Sequence, residues 1–303
     1  MTALLSLFTN NLLPIFLTAG AGYLLSRYTE LDARTLSRTI FYLFSPCLVF
    51  NVLTANQLEG GDSLRITTYA VVFTLLIGVI TLLIGLALKL ERRILVAVLI
   101  TSMFTNAGNF GLSLNNFAFG DDAFAYASLY FVMSGMMIYT LGVLIASMGN
   151  AGIKQAILGL LRLPTVYAVI LALIFNNLGW GLPVPVERSV TLLGQAAIPS
   201  MLVLLGMQLK YADLSANKLP LLLANGMRIL VAPLLAIGLS VIFGLAGPAR
   251  QAGITEAAMP TAVMTTVLAT EFDIHPAFVT TVVTTTTLLS MVTLTPLLAF
   301  LGG

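Results

Sequence analysis

Five polar side chains interrupt an apolar stretch of the chain: Ser102, Asn106, Asn109, Ser113 and Asn116 follow one another at intervals of four, three, four and three residues. On one continuous helix that spacing draws a polar stripe along a single face, so the amides line something wet. Gly108 and Gly111 lie among them and let the backbone open. In a second stretch, TEAAMPTAVMTTVLATEF at 255–272, Pro260 lacks an N–H and clashes with the preceding turn. Both stretches can therefore release backbone N–H and C=O groups, the raw material of a hydrogen-bonding site. Asn51, in VFNVL, is a further polar candidate. Two charges, Arg228 and Glu256, also fall inside apolar stretches, where desolvation makes a charge costly and marks it as functional or paired.

The elements that position these residues follow from composition. Hydrophobic residues make up 58% of the 303 and charged residues only 9%, which is the composition of a polytopic membrane protein. A net charge of +2 gives no footprint for nucleic acid. A lone Cys47 excludes an internal disulfide, and His275, the single histidine, excludes a histidine-built metal site or triad. GxxxxGK[ST], HExxH and GxSxG are all absent from the sequence, so no catalytic residue, metal or cofactor is expected and an intramembrane hydrolase is disfavoured. The opening MTALLSLFTNNLLPIF lacks a cationic start and a small-residue cleavage site, and it reads as a first membrane helix.

Ten segments reach the roughly 20 apolar residues a bilayer crossing needs. The first five are Leu4 to Ser26, Thr35 to Ala55, Ile66 to Leu88, Ile94 to Phe119 and Ala123 to Met148. The second five are Gln155 to Leu178, Ser189 to Leu209, Leu219 to Phe243, Gln251 to Thr270 and Pro276 to Phe300. Alternate loops hold ten of the fourteen Lys and Arg residues: Arg27, Arg34, Arg38, Lys89, Arg92, Arg93, Lys154, Arg162, Lys210 and Lys218. The opposite loops hold only Arg65, Arg188 and Arg250. By the positive-inside rule both termini face outward, and Asp273 and His275 decorate a cytoplasmic turn.

The halves resemble each other. LLPIF at 12–16 pairs with RLPTV at 162–166, FSPCLVF at 44–50 with AIPSMLV at 197–203, and DDAF at 121–124 with HPAF at 275–278. Residues 1–148 and 155–303 read as two five-helix repeats joined by a short connection at 149–161. Five is odd, so the second repeat is inverted. In this register the Asn106–Gly111 region lies opposite Pro260. Asn106 is 13 residues past Arg93, about 20 Å of helix, and Pro260 is ten past Arg250, about 15 Å, so the two breaks meet near the bilayer centre.

Each feature also has a plain structural reading. Asn and Ser can bond neighbouring helices, glycine permits close packing and proline makes a kink. Matched breaks in inverted halves favour a transporter's binding site. Arg228 and Glu256 read either as a buried pair tying the eighth helix to the ninth or as a site where Glu256 carries a proton or a cation such as sodium. The run TTVVTTTT at 280–287 reads as a packed face with hydroxyls bonded to the preceding turn.

LFSPCLVFNVL, TNAGNFGLSL and AAMPTAVMTTVLATEFD resemble motifs of the auxin efflux carrier family, which includes bacterial organic-acid carriers and the plant PIN proteins. The resemblance covers essentially the whole chain. It implies an all-α fold like that of sodium/proton antiporters and bile acid symporters, with broken helices 4 and 9 crossing at midplane. Helices 1, 2, 6 and 7 would form a scaffold, and helices 3–5 and 8–10 a transport domain that moves against it. A homodimer through the scaffold is implied. Asn106, Gly108, Asn109 and Pro260 would be crossover residues, Asn51 would face the substrate from the scaffold, and Glu256 resembles an acidic sodium ligand of the bile acid symporters. The short connection departs from the long hydrophilic loop of the plant carriers. The compact form therefore implies a bacterial inner-membrane carrier of small mono- or dicarboxylates, malate- or malonate-like, with auxin itself not carried over. A ligand-binding sensor on the same scaffold is the alternative.

Overall fold

The computed structural model describes residues 2–55, 60–147, 164–208 and 218–302; the connection expected at 149–161 lies outside the described residues. Helix α1 (Thr2–Leu7) passes through a π-turn (Phe8–Leu12) into α2 (Leu13–Tyr28). Helix α3 (Ala33–Thr39) passes through another (Ile40–Phe44) into α4 (Ser45–Ala55), and α5 (Gly60–Ala87) runs unbroken. Helix α6 (Arg92–Met103) stops at a break. The chain resumes in a π-turn (Ala107–Leu112), α7 (Ser113–Met137), a further π-turn (Ile138–Gly142) and α8 (Val143–Ser147). After α9 (Pro164–Leu178), α10 (Val184–Gln195) and α11 (Ala197–Gln208) come α12 (Lys218–Gly226), a π-turn (Met227–Val231) and α13 (Ala232–Ile242). Helix α14 (Gly247–Ala258) stops at a second break, α15 (Met264–Glu271) resumes beyond it and α16 (Pro276–Leu301) closes the fold.

Among the described residues seven helical runs are long and apolar enough to cross a membrane, and Pro164–Leu178 is a shorter apolar helix. The longest run, Ala107–Ala146, spans 40 residues. Gly120 divides it, with φ 77° and ψ −164°, values outside the range an L side chain readily adopts. Exposed Asp121 and Asp122 follow that turn. Helix α10 begins at Val184, five residues before the expected Ser189, because Pro185 suits the first turn of a helix, where its missing N–H costs nothing. Asp32 caps α3: its carboxylate accepts from the Arg34 and Thr35 backbone and the Thr35 hydroxyl. That hydroxyl, then the Arg34 N–H, holds the carboxyl below its ordinary range.

The π-turns have a sequence cause. Three of the five among the described residues end two residues before a proline: Leu12 before Pro14, Phe44 before Pro46 and Val231 before Pro233. A proline cannot donate to the carbonyl four residues back and collides with it, and widening the preceding turn by one residue relieves both problems without ending the helix.

Helix α2 packs most extensively on α11, and α14 on α7; α4 lies against α9 and α10, and α5 against α6, α7, α13 and α14. The α2–α11 contact is a backbone contact. A side chain at Gly22 would collide with the Val203 carbonyl and one at Gly206 with the Ala19 carbonyl. Small residues of this kind let helices approach in lipid, where no hydrophobic force drives them together. Gly226, by contrast, faces open space. Gly206→Ala is therefore expected to lower the melting temperature in detergent, at a cost of about 1–3 kcal/mol for overpacking. Gly226→Ala should leave the melting temperature unchanged or raise it.

Candidate functional site

The two breaks face each other and supply each other's backbone partners. Asn106 N–H donates to the Pro260 carbonyl at 2.8 Å, and Ala262 N–H donates to the Phe104 carbonyl at 2.8 Å. Between them Thr105 and Thr261 form a single antiparallel bridge. Thr261 completes the set: its hydroxyl donates to the Thr101 carbonyl at 2.8 Å, and its N–H donates to the Thr286 hydroxyl on α16 at 3.2 Å. Pro260 explains why α14 ends where it does. The residue before a proline is pushed out of the helical region, and Met259 sits at φ −59°, ψ 150°.

Arg228 closes the remaining valences. Fully buried, it donates from Nε to the Met259 carbonyl at 3.1 Å, from one terminal nitrogen to the Ser102 carbonyl at 2.7 Å, and from the other to the Ala257 carbonyl. One guanidinium thus caps the C-terminal ends of both α6 and α14, where free carbonyls and the negative ends of two helix dipoles converge. Its carbon lies 5.9 Å from the centroid of the Phe73 ring on α5.

The other two helix ends at the crossing open on a cleft. Asn106, Gly108 and Asn109 line it from the π-turn, and Ala262, Val263 and Met264 from the start of α15. Among the described residues no charged side chain lines this cleft. Its polarity comes from first-turn N–H groups, which have no partner within a helix, and from the amides. The Asn106 Nδ2 is buried and has no hydrogen-bond partner. Gly108 is glycine because the Phe131 ring lies where a Cβ would stand, at 2.7 Å. Phe110 meets Phe16 of α2 edge-on, with ring centroids 5.6 Å apart.

The residues singled out from sequence do not all gather here. Asn106, Gly108 and Asn109 share the cleft, and Pro260 holds the crossing from behind through its carbonyl. Asn51 does not join them. It lines a second cavity with Asn116, Asp121 and Gln195. The polar stripe is divided because the chain is not one regular helix: Asn109 lies within the π-turn and Asn116 beyond it, and the two line different cavities.

Arg228 and Glu256 do not form the buried pair that was one of their two readings. No hydrogen bond or ion pair joins them; among the described residues the ion pairs are Arg65–Asp62 and Arg93–Asp273. Glu256 Oε1 accepts from Asn115 Nδ2 at 3.0 Å, and that same nitrogen donates to the Gly111 carbonyl at 2.9 Å. A side chain at Gly111 would collide with the Glu256 carboxyl, so this glycine is what admits the carboxyl between α14 and the π-turn. Asn115 was not singled out from sequence. The signal was the adjacent pair Asn115–Asn116: neighbours on a helix point about 100° apart, so when one faces a cavity the other faces the packed interior.

The family model described as membrane transport protein matches residues 7–156 and 151–298. The chain belongs to this family. An uncharacterized transporter of Methanothermobacter thermautotrophicus is 27% identical over 291 residues, 94% of this chain and 96% of the relative. A second, from Methanocaldococcus jannaschii, is 24% identical over 86% of this chain and 87% of its own. Auxin efflux carrier component 3a of Oryza sativa subsp. japonica is 28% identical over 130 residues, 41% of this chain and 21% of the plant protein. The resemblance read from the motifs is thus a family membership, and the chain is a multi-pass membrane transporter.

The capping role of Arg228 in this transporter is directly testable. Arg228→Met leaves three buried carbonyls without donors, each costing about 1–3 kcal/mol, so a large drop in melting temperature is expected. Arg228→Lys should fall between, since an ammonium keeps the charge without the planar fork. Adding Glu256→Gln should not restore what Arg228→Met loses, because no bond joins the two side chains.

Proposed function

We propose that this chain is a secondary carrier of small organic anions, mono- or dicarboxylates of the auxin, malate or malonate type, working by alternating access. The observation that carries the reading is the Asn106 amide. It is a buried donor without a partner, standing where two helix N-termini converge on an uncharged cleft. A carboxylate placed there would gain the first-turn N–H groups, the positive ends of two helix dipoles and the Asn106 and Asn109 amides, with no fixed cation to hold it too tightly for release. The auxin efflux carriers of rice, whose name states their cargo, support the carboxylate class.

Ten crossings in two inverted five-helix repeats are the architecture this function requires. The turn at Gly120 and the two broken helices support that count, since each break shortens a run that would otherwise span. Contacts within the set α2, α4, α9, α10 and α11, and separately within α5–α7 and α12–α16, support a scaffold against which a transport domain moves as an elevator. A homodimer through the scaffold, a plasma-membrane location and outward-facing termini complete the proposal. Tags at both termini should then be accessible from outside the cell; a cytoplasmic C-terminus would remove the inverted repeat.

Counterflow of labelled carboxylates into liposomes tests the central reading, because a carrier exchanges its solute and a sensor only binds it. Asn106→Ala or Asn109→Ala should weaken binding at least roughly tenfold while leaving folded yield intact, since a hydrogen bond to a charged group contributes about 1.5–3 kcal/mol. Unchanged affinity in both variants would sink the site assignment.

A further inference from the structure

One buried group has no role in the crossing as described so far. Glu256 is fully buried, its Oε1 accepts from Asn115, and its Oε2 has no hydrogen-bond partner. A bare carboxylate oxygen in a low-dielectric interior is among the most costly arrangements a protein can hold, and a bound cation or proton removes that cost. We propose that Glu256 Oε2 is a proton-binding site and that its proton travels with the anion. The first half stands on the geometry of Glu256 alone; the second rests on the carrier reading above.

A proton fits this place better than a metal cation. The carbonyls of Ser102, Ala257 and Met259, which a metal ion at the crossing would use, already accept from the Arg228 guanidinium. The ionisable groups on the elements packed against α14 are Tyr126, Tyr130, Asp121 and Asp122 on α7, Tyr69, Asp62 and Arg65 on α5, and Arg250 on α14 itself, and among the described residues Glu256 forms an ion pair with none of them. Tyr130 on α7 is buried with its hydroxyl unpartnered, and Tyr69 on α5 donates to the Ala236 carbonyl at 3.1 Å. Exposed Asp121 and Asp122 follow the Gly120 turn that divides α7, Asp62 and Arg65 pair with each other near the start of α5, and Arg250 lies in the first turn of α14 itself. Helix α13, α16 and the π-turn at Ala107–Leu112 carry no acidic or basic side chain.

The position also gives the coupling its sign. Glu256 sits against Gly111, on the same π-turn that presents Asn106, Gly108 and Asn109 to the cleft. An ionised carboxylate behind that turn would oppose an anion in front of it. With the O–H bond formed, the opposing charge is gone and the anion binds; by linkage the bound anion in turn favours the proton. Water at one face supplies the proton and water at the other receives it, so proton and carboxylate cross in the same direction.

Infrared spectroscopy of the protein in liposomes reads the proton itself. At neutral pH the wild type should show the carbonyl stretch of a protonated carboxylic acid that is absent from Glu256→Gln and unaffected by added sodium chloride. If Glu256→Gln does not fold, Asn115→Ala assigns the band instead, by shifting it when the hydrogen bond to Oε1 is lost. Only ionised carboxylate bands at this position, or loss of the acid band on adding sodium, would overturn the proton site. In proteoliposomes an inside-alkaline pH gradient should drive accumulation of an exchanged carboxylate by the wild type. Glu256→Gln should exchange but not accumulate; equal accumulation by both overturns the coupling. Absence of exchange for every carboxylate in the wild type is a failure of the carrier reading and leaves the infrared result to decide the proton site.

Discussion

A backbone amide or carbonyl without a partner costs several kcal/mol in hydrocarbon, and everything at the centre of this transporter answers to that cost. Two helices stop partway along their course, which exposes eight or so terminal groups where water does not compensate. The chain solves this by making the breaks coincide. Each supplies one N–H and one carbonyl to the other, Thr286 and Thr261 fill two further valences, and Arg228 takes the carbonyls left over. Once the C-terminal ends are capped, the N-terminal ends are the groups still available, and they open on the cleft. The polarity of the site is thus a remainder, set by which ends the interior satisfies.

Glycine meets this packing in two opposite ways. Where two helices approach most closely, as α2 and α11 do, the sequence supplies glycine and the backbones touch. Where a polar group must enter the interior, glycine appears again for the opposite purpose: Gly111 leaves room for a carboxyl and Gly108 for an aromatic ring. A single residue type therefore serves both closeness and vacancy.

Much of the site was legible in the sequence because amides, glycines and a proline are conspicuous against an apolar background. The break at Asn106 and the break at Pro260 could be placed opposite each other from motif order alone. What sequence spacing could not show was the third dimension. Arg228 meets partners 126, 29 and 31 residues away, and no local pattern encodes that convergence. Its depth was readable, its partner was not, so Glu256 was matched to it as the other buried charge. Asn51 and Asn109 carry the same chemistry but face different cavities, a distinction that depends on how α4 packs against α10. The Thr-rich stretch of α16 bonds largely to its own preceding turn, apart from Thr286 reaching Thr261 and Thr285 reaching Asn225.

The π-turns carry a consequence of their own. Each inserts one residue into a single turn, and one residue is about 100° of rotation. A helical wheel drawn from either end is therefore out of phase beyond the insertion, and faces that look continuous on paper belong to different sides of the helix. Five such phase shifts are distributed through the described residues. Deleting a single residue at one of them would restore a regular turn and leave the faces beyond it where they are, whereas the same deletion in a regular turn would rotate those faces by about 100°, so in this chain the register of each face is stored in its length as well as in its side chains.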